Sequence, residues 1–178
     1  KTILGFLKPV SGSIFIDERD IQTIPRKELA KIIGYVPQIH GNPFPYSVRD
    51  IVLMGRASHL RLFAEPGRSD YRRCDEILEK LDILYLKDKL YSEISGGEQQ
   101  MTLIARALVQ EPEFIMMDEP TSNLDYGNQI QVLKRVVELK NSGKGVVMIT
   151  HSPDQAFLCA DEAVFFFLGG GVGSRGGP

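Results

Sequence analysis

Phe114-Ile115-Met116-Met117-Asp118-Glu119-Pro120 is the stretch on which the reading of the fold turns. Four apolar residues in a row suit a strand buried on both faces of a parallel sheet, where no polar alternation is needed. Two acids follow at once, so the strand delivers carboxylates at its C-terminal end, which is where open α/β sheets place their ligands. Asp118 is placed to hold Mg²⁺, directly or through water, and Glu119 to polarise a water attacking a γ-phosphate. A solvated strand end carrying two incidental acids fits the same letters, so the neighbours must decide.

Outward from this strand, apolar runs alternate with helical stripes. Downstream, residues 127–140 carry Ile130, Leu133, Val136 and Val137 at helical spacing, and Asn141-Ser142-Gly143 ends the helix. Val146–Thr150 and Ala163–Phe167 are two more candidates for buried strands, around a helix near 153–160. Upstream, Ser13–Asp17 and Ile32–Val36 are short β-type runs, the first after the breaker pair Ser11-Gly12 and the second stopped by Pro37. Strands alternating with helices predict an α/β domain with a mostly parallel sheet.

Residues 48–110 break the alternation. After a loop over 39–47, Val48, Ile51, Val52 and Met54 form one helical face. Tyr71, Cys74, Ile77, Leu78 and Leu81 form a second, and Leu103, Ile104, Ala107 and Leu108 a third. This segment reads as a helical subdomain inserted into a core of 1–47 and 111–168, with a glycine-rich tail over 169–178.

Three further features lie at element ends. Tyr91-Ser92-Glu93-Ile94-Ser95-Gly96-Gly97-Glu98-Gln99-Gln100 opens a helix with a Ser-Gly-Gly turn. There, backbone N–H groups can approach an anion and the helix start adds positive potential. An ordinary serine N-cap reads the same way. His151, in Thr150-His151-Ser152, falls at the C-terminal edge of an apolar strand, and Gln38 falls just past Tyr35-Val36-Pro37. Either residue taken alone is equally a structural side chain.

Composition sets the bounds. The chain has 178 residues and a formal net charge of −2, with 43% hydrophobic and 25% charged residues. That is roughly one ordinary globular domain, without the basic bias that a nucleic-acid partner usually requires. Cys74 and Cys159 form no ligand pattern and read as reduced thiols of a cytoplasmic protein. No apolar run reaches the ~18 residues of a membrane span. The chain begins without Met or a signal peptide, so its start reads as an internal point of a longer protein.

In combination, Gln38, Ile94-Ser95-Gly96-Gly97-Glu98-Gln99-Gln100, Phe114 through Asp125 (FIMMDEPTSNLD) and Ile149-Thr150-His151-Ser152 resemble the ATP-binding cassette family from Gly5 to about Phe167. The resemblance implies a P-loop NTPase fold of RecA type, ATP and Mg²⁺ as ligands, and ATP hydrolysis coupled to transport. It implies Glu119 as catalytic carboxylate and His151 as switch histidine, with Asp118 and Gln38 at the metal. Nucleotide contacts would come from Gln38, Ser95, Gly96, Gly97, Glu98, Asp118 and Asp125. Ser95-Gly96-Gly97 would face the γ-phosphate of ATP held by a second copy, and Ser122-Asn123-Leu124-Asp125 would cross the dimer interface. The implied partners are that second ATPase subunit, a transmembrane permease and, indirectly, a substrate-binding protein, at the cytoplasmic face of the membrane.

Tyr46 through Arg56 (YSVRDIVLMGR) and Leu124-Asp125-Tyr126-Gly127-Asn128-Gln129 resemble more narrowly the importers of iron-siderophores, haem and vitamin B12, with related metal or oxyanion systems. Residues 44–56 would then lie near the groove that receives the permease. An exporter cassette is the nearest alternative. Non-transport cassette ATPases, or a fold that has lost catalysis, are more distant ones.

The two ends limit the reading. Lys1-Thr2 could close a G-x-x-x-x-G-K-[ST] phosphate loop, but only three residues separate Lys1 from Gly5, whereas a helix opened by such a loop runs roughly 8–20 residues. Lys1 to Leu4 therefore reads as the last turn of that helix, with Gly5 and Pro9 as stop signals. The phosphate loop is expected upstream, and these residues alone are expected to be inactive. At the other end, Gly169 through Pro178 reads as a flexible or truncated tail.

Overall fold

The computed structural model describes residues 1–38, 45–61, 64–166 and, as backbone, 172–176. Of the expected 39–47 loop, 39–44 lie outside the described residues, as does Phe167.

The chain starts on a tight turn. Gly5 N–H donates to Thr2 O at 2.9 Å and Phe6 N–H to Lys1 O at 3.1 Å, with Gly5 at φ +69°. Such paired bonds around a left-handed glycine form the Schellman closure of a helix, matching Gly5 as a stop signal. The first expected strand is shorter than the apolar run. β1 (Phe15–Ile16) pairs antiparallel with β2 (Arg19–Asp20). Asp17 and Glu18 between them take φ of 46° and 64°, the left-handed pair of a two-residue hairpin turn.

Helix α1 (Arg26–Ile32) was not anticipated. Its signals are faint: Pro25 at the cap and Glu28 in the first turn. It takes Ile32, expected in the next strand, and β3 (Ile33–Val36) follows without a linker.

Three parallel strands form the central sheet in the order β3, β4 (Phe114–Asp118), β5 (Gly145–Ile149). Val36 stands beside Met117, which stands beside Met148. This register gives the sheet two unlike faces. Gly34, Val36, Ile115, Met117, Val146 and Met148 turn to one side, where Val36, Ile115 and Met117 are fully buried. Covering that side are α4 (Gly96–Leu108) and α5 (Tyr126–Asn141). Around α4 pack α2 (Val48–Leu53) and α3 (Arg68–Lys80), and one continuous apolar core runs from α2 and α3 through α4 to β4 and α5. Met54 and Tyr71, expected on buried helical faces, are exposed.

Among the described residues, the opposite face is covered only at β3 and β4, where Met116 and Ile33 pack with Ile24 and Leu29. Val147 and Ile149 remain 46% and 48% exposed, so β5 is not buried on both faces as its composition suggested. The last part also departs from expectation. After α6 (Pro153–Cys159), β6 (Glu162–Phe166) does not join the central sheet. It pairs antiparallel with β7 (Val172–Gly176), so part of the glycine-rich tail is a strand and not a free linker. Its glycines leave backbone N–H and C=O groups to pair, which is all a ladder requires. Among the described residues, no helix is long and apolar enough to cross a membrane.

Candidate functional site

The strands' common register brings the candidate residues to one edge. Two residues past the matched row of Val36, Met117 and Met148, the chain reaches Gln38, Glu119 and Thr150, just beyond the ends of β3, β4 and β5, with Asp118 and His151 alongside. Asp118 closes β4, and Tyr35 donates its phenol O–H to Asp118 Oδ2 at 3.2 Å. Burial, and then the adjacent Asp118 carboxylate, hold the Tyr35 phenol above its ordinary range. Tyr35 is therefore a neutral donor to that acid.

Glu119 takes φ +49°, a left-handed conformation that costs a non-glycine residue about 1–3 kcal/mol. Its N–H donates to Ile149 O at 2.9 Å, extending the β4–β5 ladder by one bond. That turn aims the side chain toward the segment just after β5, where Glu119 Oε2 lies 2.7 Å from His151 Nδ1. Behind them, the buried Gln155 accepts hydrogen bonds from Thr121 Oγ1 at 2.9 Å and Thr150 Oγ1 at 3.0 Å. Ser152 N–H donates to the Thr150 hydroxyl at 3.1 Å. One side chain of α6 thereby fixes the ends of both strands. A carboxylate held against an imidazole at a sheet's C-terminal edge can accept a proton from water and hold the resulting charge.

The second group lies at two helix starts. Ser95 caps α4 in a reciprocal box. Ser95 N–H and Oγ each donate to Glu98 Oε2 at 2.8 Å, and Glu98 N–H donates back to Ser95 Oγ at 3.4 Å. Tyr85 O–H donates to the other Glu98 oxygen at 3.0 Å. The hydrogen bonds from Ser95, then that from Tyr85, hold the Glu98 carboxyl below its ordinary range. Glu98 is thus engaged in shaping the turn. The free N–H groups and positive end of α4 suit an anion. Asp125 caps α5 likewise, accepting from Asn128 N–H at 2.9 Å, and these bonds lower its carboxyl.

Among the described residues, no group of three or more metal-ligating side chains stands together. Mg²⁺ does not need one. It takes one or two carboxylates and completes its shell with phosphate oxygens and water. Asp118 gives one oxygen to a single phenol donor and keeps further lone pairs, so it fits this kind of site. Gln38, half-buried just past β3, lies along the same edge.

The structure therefore gathers Gln38, Asp118, Glu119 and His151 at the strand edge, and Ser95–Glu98 with Asp125 at the helix starts. Tyr35, Thr121 and Gln155 went unread in the sequence. Their contacts span 83 residues for Tyr35 with Asp118 and 34 for Thr121 with Gln155, and no local pattern announces such pairs.

Residues 1–122 match the sequence profile described as ABC transporter. The chain is 39% identical to the molybdate import ATP-binding protein MolC of Haemophilus influenzae, over 91% of this chain and 59% of that protein. It is 34% identical to the hemin import ATP-binding protein HmuV of Rhizobium meliloti, over 100% of this chain and 69% of that protein. Among solved structures, a nucleotide-free ATP-binding cassette from an ABC transporter superposes with a TM-score of 0.86 at 25% identity, covering 99% of this chain and 74% of that one. The chain spans about three fifths of the length of the curated relatives it first matches.

Proposed function

The chain belongs to the ABC transporter family, and on that premise we propose that it is most of the ATP-hydrolysing subunit of an importer. The cargo class is an iron-siderophore, haem, cobalamin or a related metal or oxyanion species. The molybdate and hemin import proteins among its relatives support that class, as does the stretch from Tyr46 to Arg56. The carrying observation is the Glu119–His151 contact of 2.7 Å, beside Asp118 at the strand edge.

In this reading Asp118, with Gln38 nearby, would hold Mg²⁺, which would supply positive charge against the phosphate oxygens. Glu119 accepts the proton of the attacking water, and His151 keeps that carboxylate aimed and reports on the γ-phosphate. Ser95 and the backbone N–H groups of Gly96 and Gly97 face the γ-phosphate of ATP on a second copy, with Asp125 at the shared interface. Neither copy has a complete site, so two copies close around two ATP molecules. That closure drives a permease at the cytoplasmic face of the membrane, a gated cycle of the kind that lids and domain closures perform. The 178 residues contain no G-x-x-G-x-G-K-[ST] sequence, so by themselves they grip ATP weakly and do not turn it over.

The test is ATP hydrolysis by the complete gene product with Glu119→Gln. Loss of the base should lower turnover by about a hundredfold or more while ATP still binds. Unchanged turnover would sink the assignment. In the same assay the 178 residues alone should show no hydrolysis, and micromolar affinity for a fluorescent ATP analogue would refute that part.

A further inference from the structure

Leu124-Asp125-Tyr126-Gly127-Asn128-Gln129 contains two amides that the strand-edge chemistry does not use. Both brace the turn before α5. Asn128 Nδ2 donates to Asp125 Oδ2 at 2.7 Å, adding to its N–H bond to the same carboxylate. Gln129 Nε2 donates to Leu124 O at 2.9 Å. Within this turn Asn123 holds φ +60°, a left-handed position that asparagine adopts more readily than most residues.

Asn128 also faces the other helix start. A Cβ placed on Gly97 would stand 2.3 Å from Asn128 Oδ1, and one on Gly96 would stand 3.3 Å from Leu124 Cδ2. The α4 start therefore lies directly on the α5 start, and the absence of a side chain at Gly97 makes room for the Asn128 amide. From this packing we propose that Asn128 is a positioning residue that locks the 122–125 turn to the Ser95-Gly96-Gly97 turn. The two surfaces that one copy presents to the other then move as a single unit. This rests on the two-copy reading above. Gln129 shapes the 122–125 turn alone, because its bond stays within that turn.

The experiment is amide hydrogen exchange on the complete gene product without nucleotide, followed by ATP kinetics. Asn128→Ala should speed exchange about tenfold over both 95–99 and 122–126 while 103–108 stays unchanged. Gln129→Ala should loosen 122–126 only. Asn128→Ser keeps a short group for Asp125 but withdraws the amide from Gly97, so it should loosen 95–99 more than 122–126. It also serves if the alanine variant does not fold. In turnover, Asn128→Ala should lower kcat about tenfold with the KM for ATP held within about twofold. Unchanged exchange over 95–99 in both Asn128 variants overturns the lock. Coupled exchange with unchanged kcat overturns its positioning role. If the wild-type protein hydrolyses no ATP, the functional reading fails, and the exchange data still decide whether the lock exists.

Discussion

The two faces of the central sheet are made from the same kinds of residue and have opposite surroundings. On one, Ile115 and Met117 of β4 meet α4 and α5 and reach no solvent. On the other, Val147 and Ile149 of the adjacent β5 stay about half exposed, beside a hollow of about 260 Å³ lined by Ile3, Phe15, Phe114, Met116 and Val147. FIMM and VVMI are equally apolar, so composition marks a strand but not its cover. Cover depends on which helices the topology brings over each face.

Three measurements press on that contrast. The largest effect belongs to the covered face: Met117→Ala should destabilise the fold by about 2–5 kcal/mol in urea, since the cavity forms where nothing can collapse into it. A loss under about 1 kcal/mol would mean this face is looser than its burial implies.

The second is acid. The helices of the covered side carry carboxylates held below their ordinary range. Asp70 in α3 is lowered by the Gly67 N–H and then by Arg56, Glu98 in α4 by Ser95, and Asp125 at the start of α5 by the Asn128 N–H. A group with a lower folded than unfolded pKa stabilises fully above the unfolded value, about 4, and loses that contribution as pH falls through the folded value. The urea midpoint should therefore hold from pH 7 to 5 and fall progressively below about pH 4. A midpoint as high at pH 3 as at pH 7 would remove these carboxylates from the account.

The smallest effect belongs to the open face. Val147→Thr should stay within about 0.5 kcal/mol, as surface changes do. A loss as large as that at Met117 would show that something covers this face in solution.

Much of the candidate site was legible because its residues stand at element ends with turn chemistry of their own. Asp118 and Glu119 follow four apolar residues, Ser95 precedes two glycines and a glutamate, and His151 follows a strand run. The bracing was not legible. Tyr35 on Asp118, Gln155 between Thr121 and Thr150, and Asn128 against Gly97 join residues distant in sequence, and each is an ordinary side chain where it stands. Helix α1 was missed for a different reason, since seven residues after Pro25 carry too short a period to stand out. β7 was missed because glycine-rich backbone pairs without a side-chain pattern.

The sequence by itself determined the α/β class, the strand-end acids, the Ser-Gly-Gly helix start and the family, because these depend on local order, spacing and residue type. Only the tertiary structure decided that Glu119 turns through a left-handed backbone onto His151, that β5 shows one face to water, and that the two helix starts pack together at Asn128 and Gly97. Those depend on strand register and helix packing, which bring together groups the chain keeps tens of residues apart.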